Sequence, residues 1–177
     1  MSCIDSISFS RLLVIVDAHM AFERAVRESF KILLLPETFA LKREQESALH
    51  AVVLDKKDCL CVLPTGFGKS MIQMIFQLIP FVCDQLSGTS DSCVIIVSPL
   101  NAIISDQIEK LTSRGVGVKV FKNEDFTPSV GDSVKFLYGH AEVFVENTAV
   151  KKLLRTRSFQ NRVKAVVIDE AHFIAEW

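Results

Sequence analysis

The sequence predicts an α/β fold with three layers, in which a mainly parallel sheet carries helices on both faces. Short apolar runs alternate with longer segments of helical periodicity, which is the pattern of β-α-β units. Two of the runs, residues 59–63 and 163–168, lead directly into polar loops that contain glycines or acidic side chains. Because the carboxyl ends of parallel strands meet at one edge of a sheet, we expect these loops to carry the binding residues.

The first predicted elements are helices. Residues 1–17 show no recognisable chemistry, and we interpret them as a terminal tail. In residues 18–33, apolar side chains recur at helical spacing opposite charged ones, which predicts an amphipathic helix. The following proline ends this helix, and helical periodicity resumes over residues 42–54. We therefore divide the chain into residues 1–36, a tail and a helix packed on the lobe, and residues 37–177, the lobe itself.

Strands and helices alternate after this point. The predicted helices cover residues 70–86, 101–114 and 147–158, and the predicted strands cover residues 93–97, 117–121, 134–138 and 163–168. The strand at 93–97 is apolar throughout, as expected for a strand that is covered on both faces. The alternation predicts parallel strands joined by crossover helices.

Composition limits the classes of protein. The chain has 177 residues, of which 49% are apolar, and a formal net charge of −1. It can form one globular domain with a substantial core, and it has no global basic field that would attract nucleic acid. Five cysteines without metal-ligand spacing indicate a reduced, intracellular protein, and Cys59 and Cys61 are predicted core side chains. Because no run reaches the roughly 18 apolar residues of a membrane span, we expect a soluble protein without a membrane partner.

The loop after residues 59–63 has the composition of a phosphate-binding loop. It reads Pro64-Thr65-Gly66-Phe67-Gly68-Lys69-Ser70 and opens the next predicted helix. The glycines let backbone N–H groups turn toward anionic oxygens, Lys69 adds a mobile positive charge, and Ser70 offers a hydroxyl to Mg²⁺. Leu63 stands where the common pattern has a glycine, so the match is to a Thr-Gly-x-Gly-Lys-Ser variant. The loop predicts a nucleotide site.

The second chemical signal lies at the end of the last predicted strand. Residues 163–168 run directly into Asp169-Glu170-Ala171-His172. At the carboxyl end of a strand, Asp169 can hold Mg²⁺ and Glu170 can polarise a water toward a terminal phosphate. An acidic turn alone is most often a solvated turn, but together with the phosphate loop it indicates nucleotide hydrolysis.

The two signals, in this order, resemble superfamily 2 helicases, and the chain is similar to the RecQ family of ATP-dependent DNA helicases. The blocks that carry the likeness are residues 41–45, 63–70, 97–107, 136–142, the DEAH box at 169–172 and the aromatic-rich loop that begins at 173. Ser98-Pro99-Leu100 with Asp106-Gln107, and Trp177 five residues after His172, favour the RecQ family over RNA helicases. The resemblance implies a RecA-like P-loop NTPase fold that uses ATP and Mg²⁺.

The resemblance also assigns roles to single residues. Gln45 is expected to read the adenine edge, with Lys42 at the nucleotide beside it, and His172 is expected to couple ATP to DNA. The expected Mg²⁺ ligands are Ser70 and Asp169, and the expected catalytic residues are Lys69, Asp169, Glu170 and His172. The expected nucleic-acid contacts are Ser98, Pro99, Asp106, Gln107, Tyr138, His140 and Trp177.

The resemblance covers only the first RecA-like lobe, up to the DEAH box. The second lobe, which normally supplies an arginine to the transition state, does not lie in this chain, so we expect it to bind nucleotide far better than it hydrolyses it. The resemblance implies the ATP-binding lobe of a 3′-to-5′ helicase that separates strands of single-stranded or forked DNA in repair and recombination, in the nucleus or elsewhere in the cell. The alternatives are an RNA helicase lobe and a non-enzymatic nucleotide-binding fragment.

Overall fold

The computed structural model describes residues 9–88, 92–120 and 134–172, and only the backbone of residues 9–17. The helices in these residues are α1 (Phe9–Ile32), α2 (Arg43–Val53), α3 (Lys69–Ser87), α4 (Asn101–Thr112), α5 (Ala141–Glu146), α6 (Thr148–Arg155) and α7 (Arg157–Arg162). The strands are β1 (Cys93–Val97), β2 (Val118–Val120), β3 (Phe136–Gly139) and β4 (Val163–Ile168). The chain divides into two compact units, Met1–Ile75 and Phe76–Trp177, and α3 runs across the division. None of the described helices combines the length and the low polarity that a membrane span requires.

The second unit is built on a four-stranded sheet in which every pairing is parallel. The strand order is β2-β3-β1-β4, so β1 lies between β3 and β4. All five residues of β1 are buried. A central strand of a parallel sheet is covered on both faces by the crossover helices, which explains its unbroken apolar sequence. The predicted mainly parallel α/β sheet is confirmed.

One face of β1 packs against the three short helices between β3 and β4. Side chains alternate along a strand, so Cys93, Ile95 and Val97 share this face. They form one buried cluster with Val150 of α6 and Phe159 of α7. Burial raises the pKa of the Cys93 thiol to about 11, so this side chain stays protonated and serves as packing.

The opposite face of the sheet is covered by α3 and α4. Phe136 of β3 lies on this face, and its ring centroid is 6.4 Å from that of Phe81 on α3. Two residues further along β3, the Tyr138 hydroxyl lies 2.7 Å from Gln77 Oε1 of α3 and 3.0 Å from Gln107 Oε1 of α4. The sheet therefore has helices on both faces, as predicted.

The described part of the first unit contains α1 and α2. Phe22, Ala25 and Val26 of α1 are buried, as is Leu49 of α2. Because α1 begins at Phe9, the prediction of a tail is wrong for residues 9–17. Their consecutive apolar side chains do not follow helical spacing, so no periodic signal marks them, although an established helix extends through such a run at little cost.

The prediction of a buried strand at residues 59–63 is wrong. Residues 56–64 form neither helix nor strand, and Leu60 and Val62 are 77% and 83% exposed. Cys59 and Cys61, predicted as core side chains, are also exposed, with their Sγ atoms 3.8 Å apart. An apolar run becomes a strand only where neighbours take up its N–H and C=O groups, and the described sheet consists only of strands from the second unit.

Two further differences from the predicted elements are local. The predicted helix over residues 147–158 is divided at Thr156 into α6 and α7. Asn147 begins α6, since its side-chain oxygen accepts hydrogen bonds from the N–H groups of Ala149 and Val150 at 3.0 and 3.1 Å. Helix α5 was not predicted, because six residues are too few to show helical periodicity.

A buried carboxylate joins the end of α3 to the residues before two strands. Asp84 accepts hydrogen bonds from the N–H and the hydroxyl of Ser92 at 2.8 and 2.7 Å, and its Oδ2 lies 3.2 Å from Lys135 Nζ. Burial alone would raise the pKa of Asp84, but the Ser92 donors and the Lys135 ammonium outweigh it and lower the pKa. The ionised carboxylate therefore stabilises the folded chain.

Asp84→Asn should lower the free energy of unfolding at pH 7 by about 1.5 to 3 kcal/mol, because the charged hydrogen bonds are lost. Since the pKa of Asp84 is lower in the folded chain, its stabilisation is complete above the ordinary value of 3.8 and is lost as the pH falls through the folded value. Urea unfolding followed by circular dichroism should therefore show a smaller difference between wild type and variant at pH 3 than at pH 7. Asp55→Asn, which removes an exposed pair with Lys57, should cost less than about 1 kcal/mol. An equal effect of both substitutions would contradict this account.

Candidate functional site

The loop over residues 64–70 is turned by two glycines at the start of a long helix. Gly66 and Gly68 have φ angles of 78° and 91°, in the left-handed region that glycine adopts without steric cost. The Phe67 N–H donates to the Pro64 carbonyl at 3.2 Å and closes the turn between them. The loop is thus a short, folded turn that leads directly into α3.

Gln45 of α2 holds this loop. It is 4% exposed, its Nε2 donates to the Phe67 carbonyl at 3.0 Å, and its Oε1 accepts from the Lys42 N–H at 2.8 Å. A Cβ at position 68 would lie 2.9 Å from Gln45 Nε2, so a larger residue there would displace the amide. One N–H and one lone pair of the Gln45 amide are engaged by the chain itself, and its second N–H and second lone pair are the groups that a contact with adenine would use. Sequence reasoning missed this positioning contact, which only the fold brings together.

Two lysines border the loop. The Lys42 ammonium lies 4.0 Å from the centre of the Phe67 ring, at the distance of a cation–π contact. The Lys69 ammonium is exposed and donates to the Leu63 carbonyl at 3.0 Å. Thr65 and Ser70 also reach solvent. The loop therefore combines exposed hydroxyls with two positive charges.

These features fit a polyphosphate with Mg²⁺. The N–H groups in the first turn of an α-helix have no intrahelical acceptor, and the helix dipole favours an anion there. Helix α3 begins at Lys69 and has 19 residues, so the ammonium of Lys69 and the hydroxyl of Ser70 lie in its first turn. At Gly66 a Cβ would meet no atom within 4 Å, which leaves the backbone open to a ligand.

In the second unit, the residues that follow β1, β3 and β4 meet at one edge of the sheet. The Ser98 N–H donates to the Gly139 carbonyl at 3.1 Å, and the Asp169 N–H donates to the Val97 carbonyl at 2.9 Å. The Ser98 hydroxyl lies 3.4 Å from Asp169 Oδ2, and the Glu170 N–H donates to Asp169 Oδ1 at 3.0 Å. The Asp169 carboxylate is therefore oriented from two sides, and its oxygens suit a hard cation such as Mg²⁺.

The acidic turn itself is strained at one residue. Glu170 has a φ of 51°, which is uncommon for a residue with a Cβ and costs about 1 to 3 kcal/mol. Its Oε2 lies 3.3 Å from His172 Nδ1, and the two side chains are 33% and 65% exposed. The turn presents a half-exposed carboxylate directly after Asp169, with an imidazole beside it.

Three residues predicted to contact nucleic acid lie in the core. Ser98, Gln107 and Tyr138 are at most 2% exposed. The Tyr138 hydroxyl has one proton, so it donates to one glutamine and accepts from the other, whose amide must present its Nε2. Burial raises the pKa of Tyr138, which keeps this proton in place. The Tyr138 hydroxyl connects β3 to α3 and α4, and none of the three side chains reaches the surface.

The other residues predicted to contact nucleic acid are more accessible. Pro99 and His140 are half-buried, and Asp106 is exposed and paired with Lys110 at 2.7 Å. His140 Nε2 lies 2.8 Å from Asn101 Oδ1, a polar partner that the sequence analysis did not single out. The sequence signal that could have identified Asn101 is its position directly after the Ser98-Pro99-Leu100 block. Trp177 lies outside the described residues.

Comparisons with known proteins agree with the motifs. Residues 42–177 match the family model for DEAD/DEAH box helicases. Probable ATP-dependent DNA helicase RecS of Bacillus subtilis is 32% identical over 146 residues, which are 78% of this chain and 26% of RecS. ATP-dependent DNA helicase Q5 of Rattus norvegicus is 30% identical over 166 residues, 88% of this chain and 16% of Q5. RecQ-like DNA helicase BLM of Xenopus laevis is 29% identical over 153 residues, 78% of this chain and 10% of BLM. The chain thus spans between a tenth and about a quarter of these relatives.

Proposed function

This chain belongs to the DEAD/DEAH box helicase family, and we propose that it is the ATP-binding lobe of a RecQ-like, ATP-dependent DNA helicase that unwinds DNA in the 3′-to-5′ direction. The resemblance to RecQ helicases is confirmed by relatives such as RecS and BLM. The observation that carries the proposal is the glycine loop at the start of α3, with its two left-handed glycines and the buried amide of Gln45 behind it. A DNA substrate implies action inside the cell, and in the nucleus of a eukaryote.

In this proposal, the loop over residues 64–70 binds the phosphates of ATP. The backbone N–H groups donate to the phosphate oxygens, and Lys69 exchanges its bond to the Leu63 carbonyl for one to a phosphate. This exchange is favourable because the negative charge on the phosphate oxygens attracts the Lys69 ammonium more strongly than the neutral Leu63 carbonyl does. Lys42 and Phe67 close the side of the loop that lies toward α2.

The acidic turn supplies the hydrolytic chemistry of the proposal. Ser70 and Asp169 would hold Mg²⁺, which would supply positive charge beside the phosphate oxygens. Glu170 orients the attacking water and accepts its proton. His172, 3.3 Å from the Glu170 carboxylate, holds that carboxylate in place and responds to bound DNA.

The burial of side chains divides the predicted DNA contacts into two groups. We propose that Pro99 and His140 touch the DNA strand and that Asp106 lies at the rim of the contact. Ser98, Gln107 and Tyr138 are instead buried residues that stabilise this edge of the sheet. Trp177 is included among the proposed DNA contacts only because of its position in the RecQ-like motif.

Gln45→Ala should weaken ATP binding through the loop. The substitution removes the hydrogen bond to the Phe67 carbonyl and the one that Gln45 accepts from the Lys42 N–H at the start of α2, each worth about 1 kcal/mol. ATP affinity should fall about fivefold or more, which equilibrium titration with a fluorescent ATP analogue measures. Gln45→Glu separates the two hydrogen bonds, because its carboxylate still accepts from the Lys42 N–H but cannot donate to the Phe67 carbonyl. It should therefore also weaken ATP binding.

The same variants test the predicted adenine contact. If Gln45 reads the base, Gln45→Ala should reduce the preference for ATP over GTP, because guanine presents the opposite donor and acceptor polarity. If affinity for both nucleotides falls equally, Gln45 acts through the loop alone and the adenine assignment is wrong.

The proposed activity requires a second RecA-like lobe, which supplies the arginine for the transition state, so this chain alone should turn ATP over slowly. The test is ATP hydrolysis by a polypeptide that extends this chain with such a lobe, measured without nucleic acid, with single-stranded DNA and with RNA. Single-stranded DNA, but not RNA, should stimulate ATP turnover, and DNA forks with a 3′ tail should be unwound. Stimulation by RNA but not DNA would identify an RNA helicase, and binding of ATP without any turnover would identify a non-enzymatic module.

A further inference from the structure

We propose that His19, Glu23 and His50 form a binding site for a divalent transition-metal ion, with Zn²⁺ as the best-matched metal, that connects α1 to α2. The possible ligand atoms of the three side chains all lie within 4.8 Å of one another. The proposed function uses none of them. This site takes a different class of metal from the Mg²⁺ of ATP hydrolysis.

The positions of the three residues follow from helix geometry. His19 and Glu23 are four residues apart on α1, so their side chains lie on the same face, one turn from each other. His50 comes from the last turn of α2, and its ring centroid is 5.4 Å from that of His19. Two ligands from one helix and one from a second helix would fix the two helices to each other.

A buried aromatic ring supports both imidazoles. Phe22, which is 4% exposed, meets the His50 ring edge-on with centroids 4.7 Å apart. The His19 ring stacks on the same Phe22 ring, with centroids 6.5 Å apart and planes 28° from parallel. The close edge-on packing restricts the rotation of the His50 ring, which lowers the entropy that metal binding costs at this ligand.

The donor set determines the kind of metal. Neutral imidazole nitrogen and carboxylate oxygen suit Zn²⁺, Co²⁺, Ni²⁺ or Cu²⁺, whereas Mg²⁺ prefers oxygen ligands alone. Tetrahedral ligands at about 2.0 to 2.2 Å from Zn²⁺ lie about 3.4 Å from one another, so the ligand atoms have to approach one another by at most about 1.4 Å. His19 is exposed and the other two are half-buried, which allows that movement. Three protein ligands leave the fourth position to water.

The test is isothermal titration calorimetry of the 177-residue chain with ZnCl₂. Cys59→Ser and Cys61→Ser are introduced first, because these exposed thiols lie 3.8 Å apart and would compete for Zn²⁺. We expect one Zn²⁺ per chain with a Kd on the order of micromolar, and a higher Tm in its presence. His19→Ala and His50→Ala should each weaken binding at least about tenfold and remove the shift in Tm. Co²⁺ should give the visible absorption of a site with nitrogen and oxygen ligands, and a millimolar excess of Mg²⁺ should not displace it.

Glu28→Gln is the control for a substitution on α1 that leaves the proposed ligands in place. Glu28 is an acidic residue of the same helix, but it pairs with Lys31 and lies outside the cluster. The variant should bind Zn²⁺ as tightly as the parent. His50→Gln accompanies His50→Ala, so that loss of packing against Phe22 is separated from loss of a ligand, and both should lose Zn²⁺. Stoichiometric binding that survives in His19→Ala and His50→Ala, or no binding in the parent, would overturn the proposal.

Discussion

Glu170→Gln should abolish DNA-stimulated ATP hydrolysis while ATP and Mg²⁺ still bind. Glutamine keeps the size of the side chain, but its amide cannot accept a proton from water, and the loss of a general base costs about a hundred- to ten-thousandfold in rate. The half-exposed Glu170 carboxylate at the end of β4 is available to a water, and no described hydrogen bond of the core depends on it. The measurement is steady-state ATP turnover with single-stranded DNA, in the polypeptide extended by a second lobe.

Two variants show whether the effect belongs to this side chain. Glu142→Gln changes an exposed carboxylate on α5 of the same unit and should leave turnover unchanged. Asp169→Ala removes a proposed metal ligand and should weaken the part of ATP binding that depends on Mg²⁺. Full DNA-stimulated turnover in Glu170→Gln would mean that Glu170 is not the base and that the interpretation of the acidic turn is wrong.

Lys69→Ala should weaken ATP binding about ten- to a hundredfold. A hydrogen bond between an ammonium and a phosphate oxygen is worth about 1.5 to 3 kcal/mol, and in this loop Lys69 is the exposed cation at the start of α3. The only described bond that the variant loses is the exposed one to the Leu63 carbonyl, so the fold should be retained. Titration of the 177-residue chain with a fluorescent ATP analogue gives the affinity.

Lys57→Ala is the control for Lys69→Ala. It removes another exposed lysine of the first unit, one that pairs with Asp55, and should bind ATP as wild type does. If both substitutions weaken ATP binding equally, the effect comes from the lower positive charge of the chain and not from a contact of Lys69. Unchanged ATP affinity in Lys69→Ala would place the nucleotide elsewhere.

The sequence predicted the sheet of the second unit well because its signals are local. Residues 93–97 are apolar without interruption, and they form the central strand that such a run predicts. The glycines at 66 and 68 both have positive φ angles, which is the conformation for which glycine is needed. Where a residue type alone determines the backbone conformation, the sequence is sufficient to predict that conformation.

Features that depend on distant partners were not predictable. Leu60 and Val62 carry a strand signal, but a strand also needs neighbours, and the described sheet supplies none to them. Gln107 and Tyr138 lie in two motifs that predicted DNA contact, yet both side chains are buried and hydrogen-bonded to each other. Gln45 was assigned to a base, and its contact with the Phe67 carbonyl, 22 positions away, could be seen only in the fold.

The most direct test of the central claim is calorimetric titration of the 177-residue chain with ATP, ADP and AMP in the presence of Mg²⁺. A loop that grips the phosphates through Gly66 to Ser70 should bind one nucleotide per chain and should favour ATP and ADP over AMP at least about tenfold, because AMP lacks the β-phosphate. Equal affinity for the three nucleotides, or no binding of any of them, would contradict the claim that this chain is an ATP-binding lobe.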